Sequence, residues 1–189
     1  MTKEFLDRNL ALEAVRVTEA AALSSSLYMG RGDEKAADQA AVNAMRDFLN
    51  HLAIDGKVVI GEGERDKAPM LYIGEKVGKG GPKVDIALDP LEGTTITAKG
   101  GENALSVLAM AEEGGFLHAP DIYMHKIAYG KKYQDLVIDP ESPANEIVQK
   151  FSDHADTKIE NTVVCILDRP RHKELISKVR QTGARIKLI

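Results

Sequence analysis

The stretch Val84-Asp85-Ile86-Ala87-Leu88-Asp89-Pro90-Leu91-Glu92-Gly93-Thr94 decides the reading of the fold. Its first half is a short β-branched and apolar run, which is strand chemistry, and it ends on an acid followed by proline. The spacing predicts a strand ending at Asp89 and a turn held by the fixed φ of Pro90. A short helix then opens at Gly93-Thr94, with free N–H groups that face an anion. Asp89 and Glu92 converge in that turn, and a backbone carbonyl between them is freed as a ligand. Oxygen donors of this type suit magnesium or manganese.

Working outward, Lys57 to Gly61 and Ala104 to Ala111 read as further strands of the same buried sheet. Between them, Gly74 to Pro82 combines glycines and lysines and reads as an exposed turn. Upstream, Leu6, Leu10, Ala14, Val17 and Ala21 recur at helical spacing, predicting an amphipathic helix from Glu4 to about Leu27. Met29-Gly30-Arg31-Gly32 breaks it. Asp33 can cap a second helix whose apolar stripe is Ala37, Ala41, Ala44, Met45, Phe48 and Leu52. Downstream, Phe116 to Asp139 is irregular, a helix follows Pro143, and Thr162 to Ile189 reads as strand, helix, strand. The fold class is α/β, and one domain is the default for a chain of this length. The closing run Arg185-Ile186-Lys187-Leu188-Ile189 is an apolar, strand-like segment without a polar tail, which reads as a chain cut short.

Five acids fall at the ends of these elements: Asp33, Glu62, Glu64, Asp89 and Glu92. Strand C-termini and the loops after them are where sites assemble in α/β sheets, and Gly61 and Gly63 let other groups approach Glu62 closely. Taken singly, Asp33 reads as a cap, Glu64 and Asp66 as solvated loop acids, and Asp89-Pro90 as a turn. Together they point to a divalent-metal site. Arg169 and Arg171 flank Pro170 at a helix start, where the macrodipole disfavours cations, so an anion between them would relieve the conflict. The competing reading is a solvated basic turn in which Asp168 caps the helix and pairs with an arginine.

Of 189 residues, 43% are hydrophobic, enough for one substantial core, and the net charge of -4 argues against nucleic-acid and membrane-surface partners. The single cysteine, Cys165, lies in an apolar run and reads as a buried, inert thiol. There is no secretory h-region and no bilayer-length apolar run, so a reducing cytoplasm is the expected compartment.

Gly61-Glu62-Gly63-Glu64, Ala68-Pro69-Met70-Leu71-Tyr72-Ile73-Gly74, Asp89-Pro90-Leu91-Glu92-Gly93-Thr94 and Asp168-Arg169-Pro170-Arg171-His172 resemble class II fructose-1,6-bisphosphatase across essentially the whole chain. The shorter Asp-Pro-Leu-acid-Gly-Thr pattern is also similar to the wider lithium-sensitive phosphatases, including inositol monophosphatases. The resemblance implies a layered sugar-phosphatase fold, with residues 1–160 as a metal-binding domain and 161–189 as the start of a substrate-binding domain. It implies Mg2+- or Mn2+-dependent hydrolysis of the 1-phosphate of fructose 1,6-bisphosphate, and of a seven-carbon bisphosphate as second substrate. Asp33, Glu62, Asp89 and Glu92 match the metal acids, Asp33 and Thr94 the catalytic groups, and Glu92, Gly93, Thr94, Tyr123, Arg169 and Arg171 the substrate contacts. Tyr123 reads equally well as packing. The family also implies a homo-oligomer, and a later Asp-Gly-Asp segment and a further metal-binding glutamate that do not occur in these residues. The alternatives are an inositol- or nucleotide-phosphate phosphatase of the same superfamily, and a non-catalytic interaction module.

Overall fold

The computed structural model describes residues 8–61, 71–117 and 122–189, which form two compact units, 1–120 and 121–189. In the first, α1 (Arg8–Ser26) and α2 (Glu34–Leu49) pack on a mixed sheet of β1 (Asp55–Ile60), β2 (Lys76–Val77), β3 (Lys83–Glu92) and β4 (Leu105–Glu112), with α3 (Thr94–Lys99) between β3 and β4. The strand order is β2-β1-β3-β4, with β1 parallel to β3 and the other pairs antiparallel.

The periodicities explain the packing. Val17 and Ala21 on α1 and Ala37, Ala41, Val42, Met45 and Leu49 on α2 form one buried cluster with Val58, Val84, Ile86 and Leu88 of the sheet. The alanines lack bulk, so the two helices approach closely over β3. The expected beginning of α1 at residues 4–7 lies outside the described residues. The Gly74 to Pro82 stretch, read as a turn throughout, contributes the two-residue strand β2. Gly78, at φ 98°, allows this close return: a Cβ there would meet Ile54 O at 2.1 Å.

Arg46 of α2 joins Glu75 through Nε–Oε1 at 2.7 Å and Nη2–Oε2 at 3.2 Å, and Glu75 Oε2 also accepts from Tyr72 N–H at 3.2 Å. This partly buried fork anchors the chain entering β2 to the second helix.

The second unit holds α4 (Ala144–His154), β5 (Val163–Ile166), α5 (Lys173–Gln181) and β6 (Arg185–Leu188), with β5 parallel to β6. Its core is Ala144, Val148, Ile166, Ile176, Val179 and Ala184. Thus α4, which the expected boundary at 160/161 would put with the first domain, packs with the elements after that boundary. Cys165 is exposed, contrary to the buried thiol expected from its apolar neighbours. Strand alternation is the reason: Val164 and Ile166 face the helices, which turns Cys165 to the uncovered side of a two-stranded sheet.

Candidate functional site

The site is built on a distortion of β3. The strand does not stop at Asp89 to make a Pro90 turn, as expected; it continues to Glu92 with a bulge. Asp89 pairs with Val107 and Glu92 with Leu105, so β3 spends one more residue than β4 over that interval. Proline is admissible here because a bulge interrupts the ladder that would need its missing N–H. The extra residue shifts the alternation. Leu88 and Leu91 both enter the core, and the neighbouring acids Asp89 and Glu92 both turn away from it. In a regular strand, residues three apart would face opposite sides.

Consequently the two carboxylates meet. Burial, followed by a side-chain hydrogen bond and charge repulsion from Glu92, pushes the Asp89 carboxyl up to about 6, with Asp38 adding repulsion. The Leu91 N–H, donating to Asp89 Oδ1 at 3.0 Å, opposes part of that rise. Two ionised carboxylates here have no cation among the described side chains to separate them.

Asp38 is a residue that the reading of element ends missed. It lies on α2 in register with Val42, Met45 and Leu49, so an acid heads a stripe that is otherwise buried and apolar. That position was the available signal. Its Oδ1 is buried without a hydrogen-bond partner among the described residues, and burial raises its carboxyl above the ordinary range. An orphaned acceptor oxygen near a crowded carboxylate pair has the chemistry of a hard-cation ligand, but these three side chains are not grouped closely enough to hold a metal by themselves.

Asp33 is the N-cap of α2, accepting from Ala36 N–H at 2.9 Å, and it is exposed. Its loop is tied to the helix that follows the bulge: Gly30 N–H donates to Thr97 O at 2.9 Å and Gly32 N–H to Ala98 O at 2.8 Å. Gly93 adopts φ 98° as the N-cap of α3, and Thr94 is its first residue, as the spacing predicts. Glu62, Glu64 and Asp66 lie outside the described residues. The two chain ends flanking that segment are in contact, since a Cβ on Gly61 would meet Leu71 O at 2.6 Å. Among the described residues no three His, Cys, Asp or Glu side chains are grouped so as to hold a metal.

Tyr123, Arg169 and Arg171 belong to the second unit. The Arg171 guanidinium lies 4.5 Å from the centroid of the exposed Tyr123 ring, and the two stack as a cation–π pair. Arg169 precedes a 3-10 turn, Pro170–His172, that runs into α5. Neither helical start is capped by a side chain, so Asp168 does not play the capping role open to it. No described helix is long and apolar enough to cross a membrane.

Residues 8–189 match the family of bacterial fructose-1,6-bisphosphatase, glpX-encoded. A protein of Synechococcus sp. (strain JA-3-3Ab) named D-fructose 1,6-bisphosphatase class 2/sedoheptulose 1,7-bisphosphatase is 44% identical over 97% of this chain and 56% of its own length. A protein of the same name from Trichodesmium erythraeum (strain IMS101) is also 44% identical, over 97% of this chain and 57% of its own length. The chain therefore spans a little over half the length of these curated relatives. The match along nearly the whole chain, and the Asp89–Glu92 pair that its bulge creates, lead to one assignment: the chain belongs to the family of bacterial, glpX-encoded fructose-1,6-bisphosphatases.

Proposed function

We propose that the protein to which these residues belong hydrolyses the 1-phosphate of fructose 1,6-bisphosphate, with sedoheptulose 1,7-bisphosphate as a second substrate, in a divalent-metal-dependent reaction. Family membership and the relatives' names support the substrate class. The observation that carries the chemistry is the meeting of Asp89 and Glu92 across the β3 bulge. We extend the mixed α/β architecture to the layered sugar-phosphatase fold on the same grounds.

In this reading Asp33, Glu62, Asp89 and Glu92 hold Mg2+ or Mn2+. When bound, the metal lowers the pKa of water, screens the phosphate and stabilises the leaving alkoxide, worth several kcal/mol. The chain's own groups do the positioning. The Thr94 hydroxyl, at the first position of α3, orients the attacking water. Glu92, Gly93 and the first-turn N–H groups of α3, which have no intrahelical acceptor, receive the phosphate. Asp33, held at the head of α2 by its cap bond, approaches through the loop that Gly30 and Gly32 tie to α3. Arg169, Arg171 and Tyr123 of the second unit are assigned to substrate binding, the arginines as forked donors suited to a phosphate.

Phosphate release by the protein that carries these residues tests this. Release from fructose 1,6-bisphosphate with Mg2+ or Mn2+ is expected to fall at least about a hundredfold in Asp89→Asn. No release with either metal overturns the proposal. Faster release from an inositol or nucleoside monophosphate would move the enzyme to another branch of the superfamily.

A further inference from the structure

Residues 167–172 join β5 to α5 and carry Arg169 and Arg171. The Arg171 guanidinium rests on the Tyr123 ring, 4.5 Å from its centroid. Arg169 has no such support and makes no ion pair among the described residues. Where it points depends on its backbone. Its place before Pro170 confines that backbone to the extended region, and φ is -126° and ψ 146°.

His172 closes this loop twice. Its backbone N–H donates to Arg169 O at 2.9 Å, and its ring Nδ1 lies 2.9 Å from Leu167 O. A carbonyl only accepts, so Nδ1 carries the hydrogen. Leu167 O also accepts from Arg169 N–H at 2.9 Å, so one carbonyl gathers the backbone of Arg169 and the ring of His172. Both backbone polar groups of Arg169 are thereby tied into a closure that the imidazole completes. Position 172 is also the N-cap of α5, where a side chain ordinarily accepts from first-turn amides. An Nδ1–H cannot accept, and no side-chain cap bond is made here. The ring reaches back to the loop instead of forward to the helix.

We propose that His172 is a positioning residue for the arginine pair: its Nδ1–H, bonded to Leu167 O, holds the loop in the conformation that presents Arg169 and Arg171 to a substrate phosphate. This rests on the assignment of the two arginines to substrate binding under the proposed function. Such a clasp acts before the ligand arrives, by removing loop conformations that binding would otherwise have to give up. Its effect is bounded by one net hydrogen bond, which corresponds to roughly fivefold in affinity.

Steady-state kinetics with fructose 1,6-bisphosphate and Mn2+, on the protein that carries these residues, test the proposal. His172→Ala and His172→Gln are expected to raise KM about fivefold and leave kcat within about twofold, because uniform binding is lost while the reacting bond is untouched. His172→Asn is expected to keep both values within about twofold of wild type, since its amide nitrogen, like Nδ1, is bonded to Cγ and reaches Leu167 O. The glutamine nitrogen lies one atom further out. With Arg169 and Arg171 both replaced by alanine, His172→Ala is expected to add nothing. An asparagine variant no better than the glutamine one overturns the proposal, and this contrast decides even where His172→Ala fails to fold. So does an undiminished effect of His172→Ala in the arginine-free background. If Arg169→Ala and Arg171→Ala raise KM while His172→Ala and His172→Gln do not, the clasp alone is overturned. Arginine replacements that leave KM unchanged overturn the substrate assignment together with it.

Discussion

The carboxylates of Asp89 and Glu92 meet across a one-residue bulge in β3, and the crowding raises Asp89 to about 6. Its value in an unfolded chain is close to 3.8. Below that value both states are protonated and the shift contributes nothing. As pH rises towards 6, the folded metal-free chain keeps a proton that the unfolded chain has lost, so stability declines through this window and stays lower above it. Asp89→Asn removes the effect. In a chelator, the variant is expected to exceed wild type at pH 8 by about 1 kcal/mol, after discounting for solvent screening at this partly exposed group. That advantage should vanish near pH 4. Urea unfolding at the two pH values measures it, and an equal difference at both would refute the linkage.

Asp38 faces the same cluster with a buried oxygen that has no partner among the described residues. Replacing it with asparagine is expected to weaken Mn2+ binding by about 10- to 100-fold, the usual effect of losing an oriented group next to metal ligands. The melting temperature of the metal-free chain should not fall, because a buried unsatisfied charge is removed. Titration calorimetry with Mn2+ reads the first effect and a thermal melt the second. Unchanged affinity would place Asp38 outside the site.

The Arg46–Glu75 fork is partly buried, with side chains 24% and 12% exposed. Arg46→Met or Glu75→Gln is expected to cost about 2 kcal/mol, between the values for exposed and buried pairs. A double-mutant cycle by urea denaturation should return a coupling of at least about 1 kcal/mol. Additive losses would show that the two side chains act separately.

Two glycines of one loop offer a paired comparison. Gly78 and Gly80 both have positive φ, but a Cβ at Gly78 would strike Ile54 O at 2.1 Å whereas Gly80 faces open space. Gly80→Ala is expected to cost about 1 kcal/mol from the left-handed backbone alone, and Gly78→Ala several kcal/mol more, since backbone must shift. Similar denaturation midpoints for the two variants would contradict this packing.

Much of the fold was legible in local chemistry. The Ala37 to Met45 stripe, the cap at Asp33 and the β-branched runs specify helix and strand through period and side-chain shape, which require no distant contact. The chemical class of the site was legible in the same way, because oxygen ligands in the Asp89 to Thr94 run carry their preference for hard cations with them. What lay beyond the sequence depended on register and on what covers each face. Local rules made Pro90 a turn residue; pairing with β4 makes it part of a bulge, and the bulge brings Asp89 and Glu92 to one side. Apolar neighbours suggested a buried Cys165; only the one-sided covering of the β5–β6 pair exposes it. Asp38 was not singled out in the sequence; the packing of α2 on the sheet is what buries its oxygen near Asp89. Composition and period are properties of the chain, whereas desolvation and charge crowding arise only when remote segments pack.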